Sequence, residues 1–198
     1  MLQLEFLHWS VSGKPTPPPR IAKYAIIKGY LVRQKFSVVI ETGTYLGDFI
    51  AYMLSIDSVS DIYSIEISPR LYDVARKRFS KVTTAHISLG DSRIVLPRLL
   101  ASISTPCLFW LDAHYSAGIT SGAKEKSPIL EELGIILDHS YQHALNHLII
   151  ADDARLFVGS GGYPTIQEVG ELVRSRGAGW VVEVRSDMIH VHSPEMVL

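Results

Sequence analysis

Acidic residues follow two predicted strands, and their types suit proton transfer or metal binding. Asp112 and His114 come directly after the apolar segment "CLFWL", and Asp152 and Asp153 come directly after "LIIA". Because the carboxyl ends of adjacent parallel strands lie at one edge of a sheet, we expect these four side chains to converge there. The sequence therefore predicts a chemical site built on the ends of the fourth and fifth strands.

Two mechanisms are open for this acidic site. In the first, His114 is a general base that removes a proton from a substrate hydroxyl or amine, while Asp112 orients the imidazole or the substrate. In the second, Asp112, Asp152 and Asp153 bind Mg²⁺, which prefers oxygen ligands and lowers the pKa of a coordinated hydroxyl. The structural alternatives are an ion pair between Asp153 and Arg155 and a capping role for Asp152.

A tight, glycine-containing turn follows the first predicted strand. In "VVIETGTYLGDF" Gly43 lets the backbone turn sharply, and Gly47 allows a helix to pack closely. The turn departs from the G-x-G-x-x-G pattern of dinucleotide sites, and Glu41 beside it would repel a diphosphate and attract a cationic amine. Glu66, at the end of the second strand, can accept hydrogen bonds from ribose hydroxyls, and Asp91 follows the third strand where an adenine would lie. The sequence predicts a pocket for an amine, a ribose and an adenine.

The elements that position these residues alternate between strands and helices from Phe36 onward. Strands are predicted in "FSVVIET", "DIYSIEI", "VTTAHISL", "PCLFWLDA" and "HLIIADDA", and apolar residues at helical spacing follow each of them. The alternation predicts a three-layer α/β/α sandwich with a mostly parallel, Rossmann-like sheet. Two strand-like runs in "WVVEVRSDMIHVHS" predict a C-terminal antiparallel hairpin and a total of seven strands. We expect the helix after the third strand to begin near Pro97, and Thr165 with Glu168 predicts a capping box.

The composition indicates one globular domain without a broad nucleic-acid surface. The chain has 198 residues, 47% of them hydrophobic, and 19 basic against 20 acidic side chains give a net charge of −1. Basic residues between positions 14 and 35 are interpreted as a solvated helix face. Residues 1–35 are expected to form an N-terminal cover with a proline-rich linker and a helix. The single Cys107 and the lack of a signal or membrane-spanning pattern predict a cytoplasmic protein without a membrane partner.

The order of these motifs resembles the class I S-adenosylmethionine-dependent methyltransferases. "VVIETGTYLGDF", "IYSIEIS", "LGDS" and "FWLDAHYS" look like the sequential motifs of that family, and the likeness covers Phe36 to about His192. "ETGTYLGD", "FWLDAHYS" and "DDAR" resemble a bacterial subgroup without an assigned substrate. The resemblance makes residues 36–198 a methyltransferase domain. It implies S-adenosylmethionine as the cofactor, in contact with Glu41, Gly43, Thr44, Tyr45, Gly47, Glu66, Asp91, Ser92 and Asp112.

The resemblance implies methyl transfer to a small molecule, and the acids after the fourth and fifth strands favour a hydroxyl oxygen as acceptor. Metal-dependent O-methyltransferases look similar at these acids, although residues 116–126 lengthen the gap between the two motifs here. We interpret residues 116–126 and 157–164 as loops over the site. Two other functions stay open: a nicotinamide-dependent oxidoreductase, which the incomplete glycine fingerprint disfavours, and a nucleoside-binding module without turnover. A homodimer through residues 1–35 is a further option.

Three histidines recur at intervals of four residues near the predicted end of a helix. His139, His143 and His147 could form a zinc-binding face at this spacing. A polar, solvated helix end is the interpretation that we favour.

Overall fold

A single seven-stranded sheet organises the chain in the computed structural model, which describes residues 2–112, 127–177, 179–196 and 198. The strands are β1 (Val38–Thr42), β2 (Asp61–Glu66), β3 (Ala85–Leu89), β4 (Cys107–Leu111), β5 (Leu148–Ala151), β6 (Val181–Arg185) and β7 (Met188–His192). Their order is β3-β2-β1-β4-β5-β7-β6. The first five strands pair in parallel, and β7 is antiparallel to both β5 and β6. The predicted mostly parallel sheet with an antiparallel C-terminal hairpin is confirmed.

Helices cover both faces of this sheet. They are α1 (Leu2–Val11), α2 (Arg20–Gln34), α3 (Asp48–Met53), α4 (Pro69–Arg78), α5 (Ser92–Leu100), α6 (Ile129–His143) and α7 (Ile166–Arg176). Residues of α5, α6 and α7 pack on one face, and residues of α2 and α3, with Phe79 at the end of α4, pack on the other. The three layers of the predicted sandwich are therefore confirmed. Across the described residues, every helix is too short or too polar to cross a membrane.

The central strands are buried on both faces, which explains their nearly continuous apolar sequence. Ile40 and Phe109 point into the core under α5–α7, while Val39 and Leu108, one residue earlier in each strand, point into the core under α2 and α3. The same alternation continues to the carboxyl ends of the strands.

The N-terminal helix α2 is an integral part of the second core. Tyr24, Ile27 and Leu31 are buried there against the sheet. The preceding α1 contacts α2 and leaves Leu4 and Leu7 exposed. Residues 20–34 are therefore packed on the domain and lie close enough to contribute to its site.

Local capping decides where two helices begin. The prediction that α5 begins near Pro97 is wrong, because the carboxylate of Asp91 accepts the backbone N–H of Arg93 at 2.9 Å and starts the helix at Ser92. Pro97 lies within this helix. The predicted capping box of α7 is confirmed, since Thr165 and Glu168 satisfy each other's backbone N–H groups.

Candidate functional site

The carboxyl ends of β1, β4 and β5 bring the predicted acids to one edge. The backbone N–H of Asp112 donates to the carbonyl of Thr42 at 3.0 Å, and the N–H of Asp152 donates to the carbonyl of Leu111 at 3.0 Å. Each acid therefore continues the hydrogen-bond ladder by one residue beyond its strand. Asp112 lies close enough to Asp152 that its charge helps to raise the pKa of Asp152.

The glycine turn after β1 has the backbone geometry that its sequence predicts. Gly43 and Gly47 have φ values of 90° and 78°, in the left-handed region that favours glycine. A Cβ on Gly47 would lie 2.5 Å from a ring carbon of Phe79 at the end of α4. The close approach at Gly47 is therefore to the Phe79 ring at the end of α4, whereas the sequence analysis expected helix–strand packing at this glycine.

Glu66 ties the glycine turn to the end of β2. One carboxylate oxygen accepts the backbone N–H of Tyr45 at 2.8 Å, and the other accepts the N–H of Ser68 at 2.9 Å. The side chain is nearly buried, with 5% exposure. Each oxygen keeps a lone pair, so this carboxylate can still accept hydrogen bonds from a bound diol.

Glu41 ends a chain of buried hydroxyl groups beneath the same turn. Ser64 donates to a carboxyl oxygen of Glu41 at 2.5 Å, so the Ser64 oxygen is left to accept from the Thr44 hydroxyl at 2.6 Å. Burial raises the pKa of Glu41 well above its usual value; the Ser64 hydrogen bond opposes this shift, and the charges of Asp112 and Glu66 add to it. A cationic group bound here would favour the charged carboxylate.

Asp91 is engaged by a neighbouring cation. Besides capping α5, its carboxylate accepts both Nε and Nη2 of Arg93, the latter at 2.6 Å. The hydrogen bonds from the Arg93 side chain lower the pKa of Asp91, and burial opposes them. Ser92, the first residue of α5, is buried beside it. Asp91 and Ser92 thus lie just beyond the carboxyl end of β3, where the sequence analysis predicts the adenine side of a cofactor pocket.

The acidic pair after β5 is held by two cations. Lys23 of α2 forms ion pairs with Asp152 and Asp153, and Arg155 contacts Asp153 at 2.6 Å. The alternative that we considered for Asp153, an ion pair with Arg155, is therefore present. Burial lowers the pKa of Lys23, but the charges and hydrogen bonds of Asp152 and Asp153 outweigh it and the pKa is raised.

The pKa of Asp152 is raised even though this aspartate forms an ion pair with Lys23. Burial and the nearby Asp112 charge raise the pKa of Asp152 to about 6, although Lys23 opposes the shift. In this arrangement Asp152 and Asp153 do not fit a divalent cation, because Lys23 forms ion pairs with the carboxylate oxygens that would otherwise coordinate the metal. Among the described residues, no three His, Cys, Asp or Glu side chains are arranged to hold a metal ion.

Sequence reasoning missed Lys23 and Asp187 as members of this cluster. We expected the basic residues of α2 to lie on a solvated face, yet Lys23 is only 3% exposed. Its spacing from Ile27 and Leu31, at i+4 and i+8, places it on the apolar stripe, and this signal could have identified it. Asp187 lies in the turn between β6 and β7, and its neighbours along the chain carry no comparable signal.

Glu132 is a second residue that the sequence analysis missed. It lies in the first turn of α6, fully buried, and neither carboxyl oxygen has a hydrogen-bond partner of ordinary geometry in the described part of the chain. Burial raises its pKa to about 7, although the nearby hydroxyls of Ser92 and Thr42 hold it down. Glu132 lies on the same helical face as the apolar residues Ile129, Leu133 and Ile136. This spacing is the sequence signal that could have identified Glu132 as buried.

A small cavity of about 10 Å³ joins Glu132 to the acidic edge. It has room for one water molecule, and its lining includes Asp112, Asp152, Phe157 and Tyr163. Burial raises the pKa of the Tyr163 hydroxyl to about 12, with the charges of the neighbouring acids adding to the shift. The 157–164 loop therefore reaches the rim of the site. His114 and the 116–126 segment lie outside the described residues.

The prediction of a solvated end for the three histidines is wrong at two of them. His139 and His147 are buried, and Nδ1 of His139 lies 3.1 Å from Nε2 of His147. Nδ1 of His147 accepts the backbone N–H of Cys107, so the neutral ring carries its proton on Nε2 and donates to His139. Burial lowers the pKa of His147 to about 3. These rings form a neutral structural pair beneath β4.

The chain was compared with known proteins. No protein-family model and no curated protein matches it. Solved structures do match, among them an O-methyltransferase from Streptomyces achromogenes that is involved in tomaymycin synthesis and was crystallised with S-adenosylmethionine. The alignment covers 97% of this chain and 88% of that one, with 13% identity and a TM-score of 0.65. The chain has a class I methyltransferase fold.

Two further structures with this methyltransferase fold were solved with S-adenosylhomocysteine. An O-methyltransferase from Bacillus cereus matches 97% of this chain over 90% of its own length, with 14% identity and a TM-score of 0.61. A methyltransferase from Podospora anserina matches 87% of this chain over 78% of its own, with 13% identity and a TM-score of 0.59. At these identities the likeness is one of fold, and function has to be argued from the residues of the site.

Proposed function

We propose that this protein is an S-adenosylmethionine-dependent methyltransferase that acts on a hydroxyl oxygen of a small molecule. The observation that carries the proposal is the ring of carboxyl groups around the turn formed by residues 43–47. Glu41, Glu66 and Asp112 stand at the ends of β1, β2 and β4 in a methyltransferase-type sheet. Such a ring favours a cationic adenosyl amino acid and disfavours a diphosphate.

The cofactor would lie across the ends of β1 and β2. In this arrangement Glu66 accepts the ribose hydroxyls, with its position already fixed by the backbone N–H groups of Tyr45 and Ser68. Glu41, held by Ser64, faces the amino acid end of the ligand. Gly43, Thr44 and Gly47 shape the turn against the ligand, and Asp91, Ser92 and Asp112 complete the pocket, with the first two on the adenine side.

Methyl transfer would be assisted by removal of the acceptor proton. His114 is the proposed general base, and Asp112 at the end of β4 is proposed to orient it or the acceptor. The methyl passes in line from the sulfonium to the oxygen, so positioning and exclusion of water supply most of the remaining rate. The proposed mechanism does not include Mg²⁺, because Lys23 and Arg155 form ion pairs with the acids after β5.

Ligand binding distinguishes this proposal from the oxidoreductase alternative. S-Adenosylhomocysteine should raise the melting temperature and give a one-to-one isotherm in calorimetry, whereas NAD⁺ should do neither. The Glu66→Gln variant should weaken the isotherm, since a charged acceptor of the ribose hydroxyls is lost. Binding of NAD⁺ but not of the adenosyl ligand would refute the proposal.

A turnover assay distinguishes the proposed methyltransferase from a nucleoside-binding module without turnover. Incubation with radiolabelled S-adenosylmethionine and a panel of phenols, catechols and aliphatic alcohols should label at least one acceptor. The His114→Ala and Asp112→Asn variants should then lose about 100-fold or more in kcat. His143→Ala, at an exposed position of α6, is the matched control and should keep full activity. Unchanged transfer in both site variants would refute the assigned base.

We also propose a homodimer through the N-terminal helices. Leu4, Leu7 and Val11 of α1 and Val32 of α2 are exposed apolar side chains. Light scattering after gel filtration should give twice the 22.0 kDa chain mass, and Leu4→Glu with Leu7→Glu should return a monomer. A monomeric wild-type protein would exclude this arrangement.

A further inference from the structure

Glu132 is a buried carboxyl group in the first turn of α6 that lacks a protein partner. Its side chain is 0% exposed, and neither of its oxygens has a hydrogen-bond partner among the described residues. The hydroxyl groups of Ser92 and Thr42 lie nearby, but they lie outside hydrogen-bond geometry. Unpaired polar atoms at this depth are rare, because they have lost their hydration without compensation. Both oxygens of Glu132 are therefore available to a bound molecule.

The Glu132 side chain lines the cavity of about 10 Å³ beyond the ends of β4 and β5. Asp112 and Asp152 add two further carboxyl groups to the lining, and Phe157 and Tyr163 add two aromatic rings. Asp112 and Tyr163 are partly exposed, whereas Glu132 is buried, so the cavity extends inward from the surface. None of the described residues that line it is basic. Carboxyl groups beside aromatic rings are a lining suited to an organic cation.

The wall of this cavity is held by contacts within the protein. The backbone N–H of Ser127, two residues before α6, donates to the carbonyl of Gly162 at 2.8 Å and ties the 157–164 loop to the helix. The rings of Phe157 and Tyr163 pack together with their centroids 5.5 Å apart. The cavity is thus formed before any ligand binds, as is usual for small-molecule sites.

The charges around the cavity favour a cation over a water molecule. Burial and the Asp112 charge raise the pKa of Asp152, and burial raises that of Glu132. Lys23 and the backbone N–H of Asp153 both donate to Oδ1 of Asp152, which leaves Oδ2 as an acceptor. A neutral water molecule would leave the repulsion between the carboxylates unchanged, whereas a positive charge would oppose it.

The size of the space selects among cations. A divalent metal ion is not expected, because the described acids are not arranged to hold one. A guanidinium group is planar and too large for a cavity with room for one water molecule. An ammonium group carries its N–H donors on a single nitrogen, and its carbon chain can pack against aromatic rings.

We propose that this cavity binds a primary ammonium group of the methyl acceptor, with Glu132, Asp112 and Asp152 accepting its hydrogen bonds. The assignment of this group to the methyl acceptor rests on the proposed function, whereas the ammonium site itself does not. The proposed cofactor position lies across β1 and β2, so Asp112 is the residue that the two sites share.

The ammonium site defines the class of acceptor. An ammonium nitrogen held by carboxylates keeps its proton and is not a nucleophile, so the methyl group goes to a hydroxyl oxygen elsewhere on the same molecule. The carbon–sulfur bond of the sulfonium breaks to leave a thioether, a carbon–oxygen bond forms, and the hydroxyl proton passes to the general base. The acceptor is therefore an amino alcohol or an aminoalkyl phenol.

Three probes with the same ring and chain test the ammonium site without turnover. 2-Phenylethylamine, 2-phenylethanol and 3-phenylpropanoate are titrated at pH 8 with and without S-adenosylhomocysteine, and binding is followed by calorimetry and ligand-observed NMR. At this pH most of Glu132 is ionised, since its pKa is about 7. The amine should bind about tenfold or more tightly than the alcohol, and the carboxylate should not bind.

Variants assign the preference to Glu132. Glu132→Gln should lower the affinity for the amine by about tenfold and leave that for the alcohol unchanged, because a charged acceptor becomes a neutral one. Glu131→Gln, at the preceding exposed position of α6, is the matched control and should behave as the wild type. The inference is overturned if the wild type does not bind the amine, if it binds the alcohol equally well, or if folded Glu132→Gln keeps the preference. The comparison of probes on the wild type decides the question even if Glu132→Gln does not fold.

The labelling assay separates this inference from the proposed function. Tyramine should exceed 4-ethylphenol about tenfold in kcat/KM, and Glu132→Gln should remove this advantage through KM. Equal labelling of the two phenols would overturn the inference and leave the methyltransferase function in place. Binding of 2-phenylethylamine without transfer to any acceptor would refute the proposed function and support the ammonium site.

Discussion

Replacing Glu132 with glutamine should remove a large pH dependence from the stability of this protein. Glu132 is fully buried, and no hydrogen bond of ordinary geometry to a described residue supports its charge. Burial raises its pKa from 4.5 to about 7. A carboxyl group with a raised pKa in the folded state stabilises the fold below its unfolded pKa, and this contribution is lost as the pH rises through the folded value.

The magnitude follows from the size of the shift. A shift from 4.5 to about 7 corresponds to about 3 kcal/mol at 1.36 kcal/mol per pKa unit. Roughly 2 kcal/mol of this should be lost between pH 5 and pH 8. Glutamine fills nearly the same volume and does not ionise in this range. The difference in unfolding free energy between Glu132→Gln and the wild type should therefore shift in favour of the variant as the pH rises.

Urea denaturation followed by tryptophan fluorescence at pH 5 and pH 8 provides the measurement. Glu131→Gln is the matched control, because Glu131 is the preceding residue of α6 and is exposed. Its difference from the wild type should change by less than about 0.5 kcal/mol between the two pH values. If Glu132→Gln also shows the same difference at both, the carboxyl group is not held in a desolvated site and the reasoning fails.

Three further predictions concern the glycine turn and the helices. Because burial raises the pKa of Glu41, the binding of S-adenosylmethionine should weaken as the pH falls and the carboxyl group is protonated. Calorimetric titrations at several pH values should show this, and an affinity that does not change with pH would contradict it. Gly47→Ala should cost about 1–3 kcal/mol in urea denaturation, because of its positive φ and the Phe79 ring, whereas Gly29→Ala in the open part of α2 should be neutral or stabilising. Thr165→Ala should lower the melting temperature by an amount equivalent to about 1 kcal/mol through loss of the capping box, and an unchanged value would show that the box is dispensable.

Local patterns were sufficient to predict the seven strands, the helices after Phe36 and the sheet edge to which the acids converge, but they did not predict α1. Apolar runs located the strands, and helical spacing located the helices between them. Glu41, Glu66 and Asp112 were predicted at the carboxyl ends of their strands, because parallel connectivity places those ends together. Local reasoning erred where one side chain changed a boundary. Asp91 starts α5 earlier than the position of Pro97 suggested.

The partners of the charged residues were decided by tertiary structure alone. Lys23 and Asp152 are 129 positions apart, and they meet only because α2 docks over the end of β5. Asp187 joins them because β7 inserts between β5 and β6 and carries its turn to the same edge. Secondary structure depends on neighbours along the chain, so a sequence pattern reveals it. The charge, burial and pKa of a side chain depend on groups brought near by the fold, and those distances exist only once the sheet and helices have assembled.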